Sequence, residues 1–427
     1  MTDSTWFLTL AFIAIALQGL TLFLAFFEPT LRYRIARKPP YPLDSSEFCK
    51  MIGAIAESEI NSNSRVEVLT NGEHFYEAEL AAIRAARRSI NLEAYIFQRG
   101  DVTRRFVAAL AERARAGVKV NVVCDAIGSF LMTRGYFKEV IEAGGKVEFY
   151  NPIRWYTLPR LNNRTHRELI VIDGEIGFLG GAGFADHWLK DSKKAKRWRD
   201  TMFRVTGEAV TQMQSAFLEN WVEASGEVLT GPDYFSFKKV DAQSHILVVE
   251  STPSAGGSTR ARMLFQTLLA SAERLIEITT PYFLPDKSVR DEIICAITER
   301  GVDVRIIAPG KHSDHLLTRR SSRRLYGDLL KAGAKIYEYK RSMIHTKSLV
   351  VDGLWCAVGS TNFDHRSFGI NDEVNLAAKD PALAARLRED FAHDLALSEE
   401  ITYKKWMRRP FWERLHESLG WILERQE

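Results

Sequence analysis

The chain has 427 residues, too long for one ordinary core and long enough for two domains of common size. With 46% hydrophobic and 26% charged residues its composition is that of a folded globular protein, which excludes a disordered chain. A formal net charge of +4 is too small a basic bias to name nucleic acid or anionic lipid as partner, so the distribution of charge has to decide. Cys49, Cys124, Cys295 and Cys356 lie far apart without a CxxC or Cys/His cluster, which argues for reduced thiols in a cytoplasmic compartment and against a zinc site or disulfide framework.

Trp6 to Phe27 is an uncharged run, about 33 Å long as a helix and so just enough to cross a bilayer core. A cleaved signal peptide would need a basic stretch before the run and small residues after it, whereas Asp3 precedes and Phe26-Phe27-Glu28-Pro29 follows. The run is therefore expected to be a single transmembrane helix. Arg32, Arg34, Arg37 and Lys38 on its far flank place the body on the cytoplasmic side of the inner membrane. Residues 1–40 form this anchor and basic flank, and Pro39-Pro40 and Pro42 a short stiff linker.

Beyond the linker the same order of elements occurs twice. An amphipathic helix around Phe75–Arg88 leads into the apolar strand Ile90–Phe97, and a second helix, Val102–Ala116, leads through Gly117 into Val118–Cys124. Ala261–Ala272, Leu275–Phe283, Val289–Arg300, Gly301 and Val302–Ala308 repeat that order. A further helix ending in Ala-Gly, at Ala143-Gly144 and at Ala332-Gly333, precedes a short strand and a His-containing hairpin in each half. Strands alternating with helices of this length predict an α/β sheet with helices on its faces. The polar stretch from Gly226 to Ser244 is the natural divide.

His345-Thr346-Lys347 is followed by Asp352, Gly359-Ser360 and Asn362, with Val350-Val351-Asp352-Gly353 reading as a strand entering an Asp-Gly hairpin turn. Alternation along a strand puts His345 and Lys347 on one face. A nucleophile or proton carrier then stands beside a fixed cation, as phosphoryl chemistry requires. In the first half His166-Arg167-Glu168 leads to Asp173-Gly174 and Gly180-Gly181, and His to Asp is 7 residues in both halves (173 − 166 = 352 − 345 = 7).

In these residues the chain resembles the phospholipase D superfamily, whose signature is a His-x-Lys…Asp motif once per half. Thr280-Pro281-Tyr282-Phe283-Leu284-Pro285-Asp286, Asn371-Asp372-Glu373-Val374-Asn375, and Asp314-His315 followed by Arg319-Arg320 and Arg323-Arg324 are similar to bacterial cardiolipin synthases. The resemblance implies an α/β fold of two pseudo-symmetric phospholipase D-like domains, each a mixed sheet flanked by helices, behind the transmembrane helix. The expected division is 41–235 and 236–398, with 399–427 a basic and aromatic membrane-interface segment holding Lys404, Lys405, Arg408, Arg409, Arg414, Trp406, Phe411 and Trp412.

The implied activity is phosphatidyl transfer that makes cardiolipin from phosphatidylglycerol and a second phospholipid, with no metal or other cofactor. By similarity His166 is the nucleophile and His345 the acid/base, although the sequence alone allows exchanged roles. Asp200 and Glu373 match the acidic residues that orient the imidazoles, Lys347 and Asn362 the phosphate holders, and Ser360, Arg319 and Arg320 join the expected substrate site. Asp173 and Asp352 complete the motifs, but at hairpin turns they read as scaffold. Glu168 stands where the first-motif lysine belongs and Gly183 where an asparagine belongs. An ionised Glu168 would repel phosphate, so it is expected either to pair with Arg164, Arg167 or an arginine of Arg319–Arg324, or to stay protonated. Phospholipid and membrane are the expected partners, with no nucleic acid. The rival readings are a phospholipase D-type phosphodiesterase or nuclease and a catalytically lapsed lipid-binding scaffold.

Overall fold

The computed structural model describes residues 3–26, 33–155, 157, 160–192, 196–242, 244–252, 259–410, 413 and 414. The uncharged run forms α1 (Asp3–Phe26), with large apolar side chains such as Trp6, Phe7, Phe12 and Ile15 exposed. Among the described residues no helix is long and apolar enough to cross a membrane.

The first half continues with α2 (Ser46–Ala56), β1 (Ser64–Thr70), α3 (Gly72–Ala85), β2 (Ser89–Ala94), α4 (Asp101–Arg115), β3 (Lys119–Asp125), α5 (Lys138–Glu142), β4 (Lys146–Tyr150), β5 (Leu169–Ile172), β6 (Ile176–Gly180), α6 (Asp186–Leu189), β7 (Thr201–Gly207) and α7 (Ala209–Ser225). The second half comprises β8 (His245–Ser251), α8 (Arg260–Ser271), β9 (Leu275–Thr279), β10 (Phe283–Leu284), α9 (Lys287–Thr298), β11 (Asp303–Pro309), α10 (Leu316–Ala332), β12 (Lys335–Tyr339), β13 (Ser348–Val351), β14 (Trp355–Gly359), β15 (Phe363–Asp364), α11 (His365–Gly369), β16 (Glu373–Lys379), α12 (Pro381–Ala396), β17 (Ser398–Glu400) and α13 (Tyr403–Met407).

The first sheet has the order β1-β7-β6-β5-β2-β3-β4 and the second β17-β12-β11-β9-β13-β14-β16-β8. Read from β8, the second repeats the first strand for strand and adds β17 at its edge. Both sheets are mixed: β2, β3 and β4 run parallel, as do β9, β11 and β12, while β5 and β13 turn the remainder antiparallel. The parallel strands require crossover helices, and the amphipathic α4 and α9 supply them.

The predicted elements appear with shifted ends, and the shifts have a physical cause. The helix expected to reach Arg88 stops at Ala85 because the Asp173 carboxylate accepts the N–H groups of Arg87, Arg88 and Ser89 at 3.0, 2.7 and 2.9 Å, drawing the chain into β2. Asp352 does the same for Glu273, Arg274 and Leu275 at 2.9, 2.8 and 2.7 Å. Both Asp-Gly pairs have positive φ, 55° and 64° at Asp173-Gly174 and 54° and 67° at Asp352-Gly353. Those are the values a tight hairpin between right-twisted strands demands.

Two of the expected segments pack on the second half. Leu43, Phe48, Cys49, Ile52 and Ala56 share a core with Leu247, Ile276 and Trp355 of the second sheet, and the Trp355 indole N–H donates to the Leu43 carbonyl at 2.8 Å. The start of the 41–235 segment thus packs on the second half, where α2 finds apolar cover from α8. The segment 399–427, expected at a membrane interface, begins with β17 paired to β12 and continues into α13, whose Trp406 lies over Gly327 of α10 and donates to the Arg323 carbonyl at 2.6 Å. A Cβ at residue 327 would stand 2.4 Å from the indole, so the contact needs glycine. Phe411 and Trp412 lie outside the described residues. A third core joins the sheets: Val171, Leu179 and Phe203 meet Val350, Val358 and Leu376, capped by Phe217 and Trp221 of α7.

Candidate functional site

Each histidine sits one strand-length before its Asp-Gly turn, in extended chain just ahead of β5 or β13, and each is held by backbone from the opposite half. The His166 N–H donates to the Asp372 carbonyl at 2.9 Å, and the His345 N–H to the Arg199 carbonyl at 2.7 Å. These pairings carry a carboxylate across the junction to each ring. His166 Nδ1 lies 3.0 Å from Glu373 Oε1, and His345 Nδ1 lies 2.9 Å from Asp200 Oδ2. The acid that follows each motif in the chain therefore serves the other motif's histidine.

The carboxylates are themselves fixed. Asp200 Oδ2 also accepts the Trp188 indole N–H at 3.0 Å and Oδ1 the Thr201 N–H at 2.8 Å, while Ser360 donates to Glu373. Burial alone would raise both carboxyls, but His345 and Lys347 beside Asp200, and His166 and Ser360 beside Glu373, hold both below the usual range. The His345 imidazole is pushed down by burial and then by the Lys347 charge, more than Asp200 pushes it up. The stable arrangement is a neutral imidazole donating Nδ1–H to an ionised carboxylate, which leaves the Nε2 lone pair available. Burial pushes Lys347 down to about 8, against the pull of Asp200 and Glu373, so it remains mostly cationic at neutral pH. Its ammonium lies 3.1 Å from His345 Nε2 and donates to the His345 carbonyl at 2.8 Å.

The other expected residues divide. Asn362 is buried with its side-chain oxygen unpartnered, as a ligand-facing group would be, but the Ser360 hydroxyl is occupied by Glu373 and by accepting the Val374 N–H at 3.0 Å. Arg319 pairs with the buried Glu338 at 2.9 Å and Arg323 with the same carboxylate at 3.1 Å, so Arg319 is committed to anchoring α10. Arg320 is half-buried on α10. Asp173 and Asp352 clamp the far strand ends described above, away from the histidines. Glu168 does not meet an arginine. Arg164 pairs with Asp125 at 3.4 Å, and Arg167 reaches Glu219 and the Ala216 carbonyl, each at 2.6 Å. Instead Glu168 Oε1 accepts the Ile96 N–H at 3.1 Å, and burial lifts its carboxyl well above the usual range. The protonated form, the other expectation, is the one the surroundings favour.

Sequence reasoning missed the aromatic walls. Tyr95, just after β2, stands edge-on to His166 at 5.3 Å between ring centroids, and Trp188, Trp198 and Tyr282 surround His345 at 5.6, 5.4 and 6.4 Å. Their signal was the placement of aromatics directly after apolar strands and beside Asp200, but an aromatic in such a place is more often core.

Fold and site together place the chain among duplicated α/β proteins with one two-histidine site built across both halves. A family described as cardiolipin synthase, phospholipase D-like domain, matches residues 80–221 and 265–395. A cardiolipin synthase of Geobacillus kaustophilus is 35% identical over 86% of this chain and 74% of its own length. The major cardiolipin synthase ClsA of Bacillus subtilis is 35% identical over 89% and 79%. The solved phosphatidylserine synthase of Haemophilus influenzae covers 88% of this chain and 96% of its own with a TM-score of 0.65 and 14% identity, a likeness of fold. The chain belongs to the cardiolipin synthase family of the phospholipase D superfamily, a family of phosphatidyltransferase enzymes.

Proposed function

We propose that the protein is a membrane-bound phosphatidyltransferase that makes cardiolipin from phosphatidylglycerol and a second phospholipid through a phosphatidyl-histidine intermediate. The observation that carries this reading is the crossed pair of His–carboxylate contacts, which holds each Nδ1 by a carboxylate from the opposite half and leaves each Nε2 free of that carboxylate, with the Lys347 ammonium beside that of His345. His166, the more accessible ring at 13% exposure against 5% for His345, suits the nucleophile. Its Nε2 attacks phosphorus, and the bond from phosphorus to the headgroup oxygen breaks. His345 protonates that oxygen, and glycerol leaves. The arriving phosphate offsets the Lys347 charge, so the neutral His345 takes up a proton from solvent as substrate binds and enters this step as the imidazolium. His345 then takes the proton of a second phosphatidylglycerol hydroxyl, which attacks phosphorus and frees His166. Lys347 and Asn362 hold the nonbridging oxygens, and Asp200 and Glu373 fix the tautomers.

Membrane attachment through residues 1–40, with the body on the cytoplasmic side, is supported by the uncharged run and its basic flank. Exposed apolar side chains of the body support it too. The loops after β3 and β4 and the start of α10 expose Phe130, Leu131, Ile153 and Leu316, and at the end of β3 Asp125 accepts the N–H of Thr165, the neighbour of His166. A cavity of about 610 Å³ between the loops after β3 and β4 is lined by Met132, Phe149 and Ile153 and by Arg134 and Arg160 paired with Glu148 and Glu223, and the exposed apolar side chains beside it suit a lipid interface. Expression in a host lacking cardiolipin, followed by lipid mass spectrometry, tests the reading. Cardiolipin appears with the wild type and not with His166→Ala. Cleavage of labelled DNA without any lipid product would transfer the site to the nuclease reading, and no turnover of either would mark a lapsed enzyme.

A further inference from the structure

Glu168 and Gly183 depart from the family pattern at two positions, and in the folded chain they touch. A Cβ built on Gly183 would stand 2.8 Å from Glu168 Oε1 and 2.6 Å from the Ile96 carbonyl oxygen. No side chain fits at 183 between the Ile96 backbone and the Glu168 carboxyl, so the carboxyl lies in space that a side chain at 183 would need. Glu168 also takes the place that Lys347 has in the other half, two residues after the histidine in extended chain. It is 4% exposed, and only one of its oxygens is used: Oε1 accepts the Ile96 N–H, while Oε2 is buried without a hydrogen-bond partner. A buried polar atom left unpartnered needs an explanation, and an oxygen of the substrate is one that the neighbouring Lys347 supports.

We propose that Glu168 acts as a neutral carboxylic acid whose O–H donates to a nonbridging oxygen of the phosphodiester, replacing the donor that an asparagine amide at 183 would supply. The proposal rests on the phosphatidyl-transfer reading for its substrate. The charged and titratable groups around Glu168 fit a protonated acid. Glu79 and Tyr76 of α3, Tyr95 after β2 and Cys124 of β3 offer it no positive charge, and Lys347 is the one cation bearing on it prominently. Desolvation raises the carboxyl well above its ordinary range, outweighing the backbone groups of Ile96 and Tyr95 and the Lys347 charge that pull it down, and Glu79 pushes the same way as burial. Lys347, packed against Gly181, then remains the cationic clamp, and the two motifs hold phosphate by different means: an ammonium from one half and an acid O–H from the other.

The test is tungstate binding to the full-length protein in detergent, measured by calorimetry, beside steady-state kinetics on phosphatidylglycerol. Glu168→Gln keeps a neutral group with a donor, and its tungstate affinity and KM stay within about threefold of wild type. Glu168→Leu keeps bulk without a donor and weakens tungstate about 10–100-fold, with KM rising in step. A folded Glu168→Leu protein with wild-type tungstate affinity overturns the proposal. So does a Glu168→Gln protein at least tenfold weaker than wild type, which also decides the matter should the leucine variant not fold. Tungstate reports on the oxyanion site whichever lipid is the product. Absence of cardiolipin therefore sinks the earlier reading, while these affinities still judge Glu168.

Discussion

Asp200→Asn separates the crossed arrangement from the pairing that chain order suggests. In the structure Asp200 serves His345 at 2.9 Å and makes no contact with His166, whose Nδ1 is held by Glu373. When His345 becomes an imidazolium, the carboxylate stands about 4 Å from the centre of its charge, worth about 4 kcal/mol at an effective dielectric of 20. Losing that stabilisation slows the proton-transfer steps roughly 10³-fold. The amide adds a second fault. Asp200 Oδ2 accepts from both His345 and Trp188, and Oδ1 accepts from Thr201, so an NH₂ in either position faces a donor. That costs about 1–3 kcal/mol of stability, or turns His345 to the wrong tautomer. The assay is rapid-quench trapping of phosphatidyl-enzyme from labelled phosphatidylglycerol, with a thermal melt beside it. Formation and breakdown of the intermediate both slow about 10³-fold, and the NMR titration of His345 moves while that of His166 stays. A kcat within tenfold of wild type, or a displaced titration of His166 in place of His345, refutes the crossed pairing.

His345→Ala and Lys347→Ala each abolish cardiolipin formation with the melting curve retained, as measured by lipid mass spectrometry and circular dichroism. Lys347 loses its proton near pH 8, so kcat/KM falls above that pH; because the unfolded lysine still binds a proton between about 8 and 10.4, its contribution to stability moves the other way and improves as pH rises. A pH profile of kcat/KM beside denaturant melts checks both signs. Asp352→Ala removes the carboxylate that accepts three backbone N–H groups beside a turn at positive φ and lowers stability by about 2–4 kcal/mol, while the folded fraction keeps its kcat. Deleting the residues before Pro39 leaves partial binding to anionic vesicles in a flotation assay, and adding Phe130→Ser, Leu131→Ser and Leu316→Ser removes the remainder.

Much of this protein is legible in its residues. Local patterns specify local structure: the 3.6-residue periodicity of α4 and α9, the apolar runs of β2, β3, β9 and β11, and the two Asp-Gly turns follow from propensity and burial within one segment. The equal His-to-Asp spacing identifies the duplication, and that implies two sheets of one strand order, since two copies of one unit fold alike. What chain order could not reveal is anything decided by the meeting of the halves. Asp200 and Glu373 are recognisable as acids near the motifs, yet which histidine each holds depends on the strands crossing at Arg199 and Asp372. Arg319 and Ser360 look like substrate ligands until Glu338 and Glu373 come within reach. Residues 43–56 belong to the second core because α2 finds apolar cover on α8 there, far away in sequence. The state of Glu168 is likewise a property of its surroundings: a carboxyl is charged or neutral according to the water and cations around it, and only the packed structure shows that both are scarce at that position.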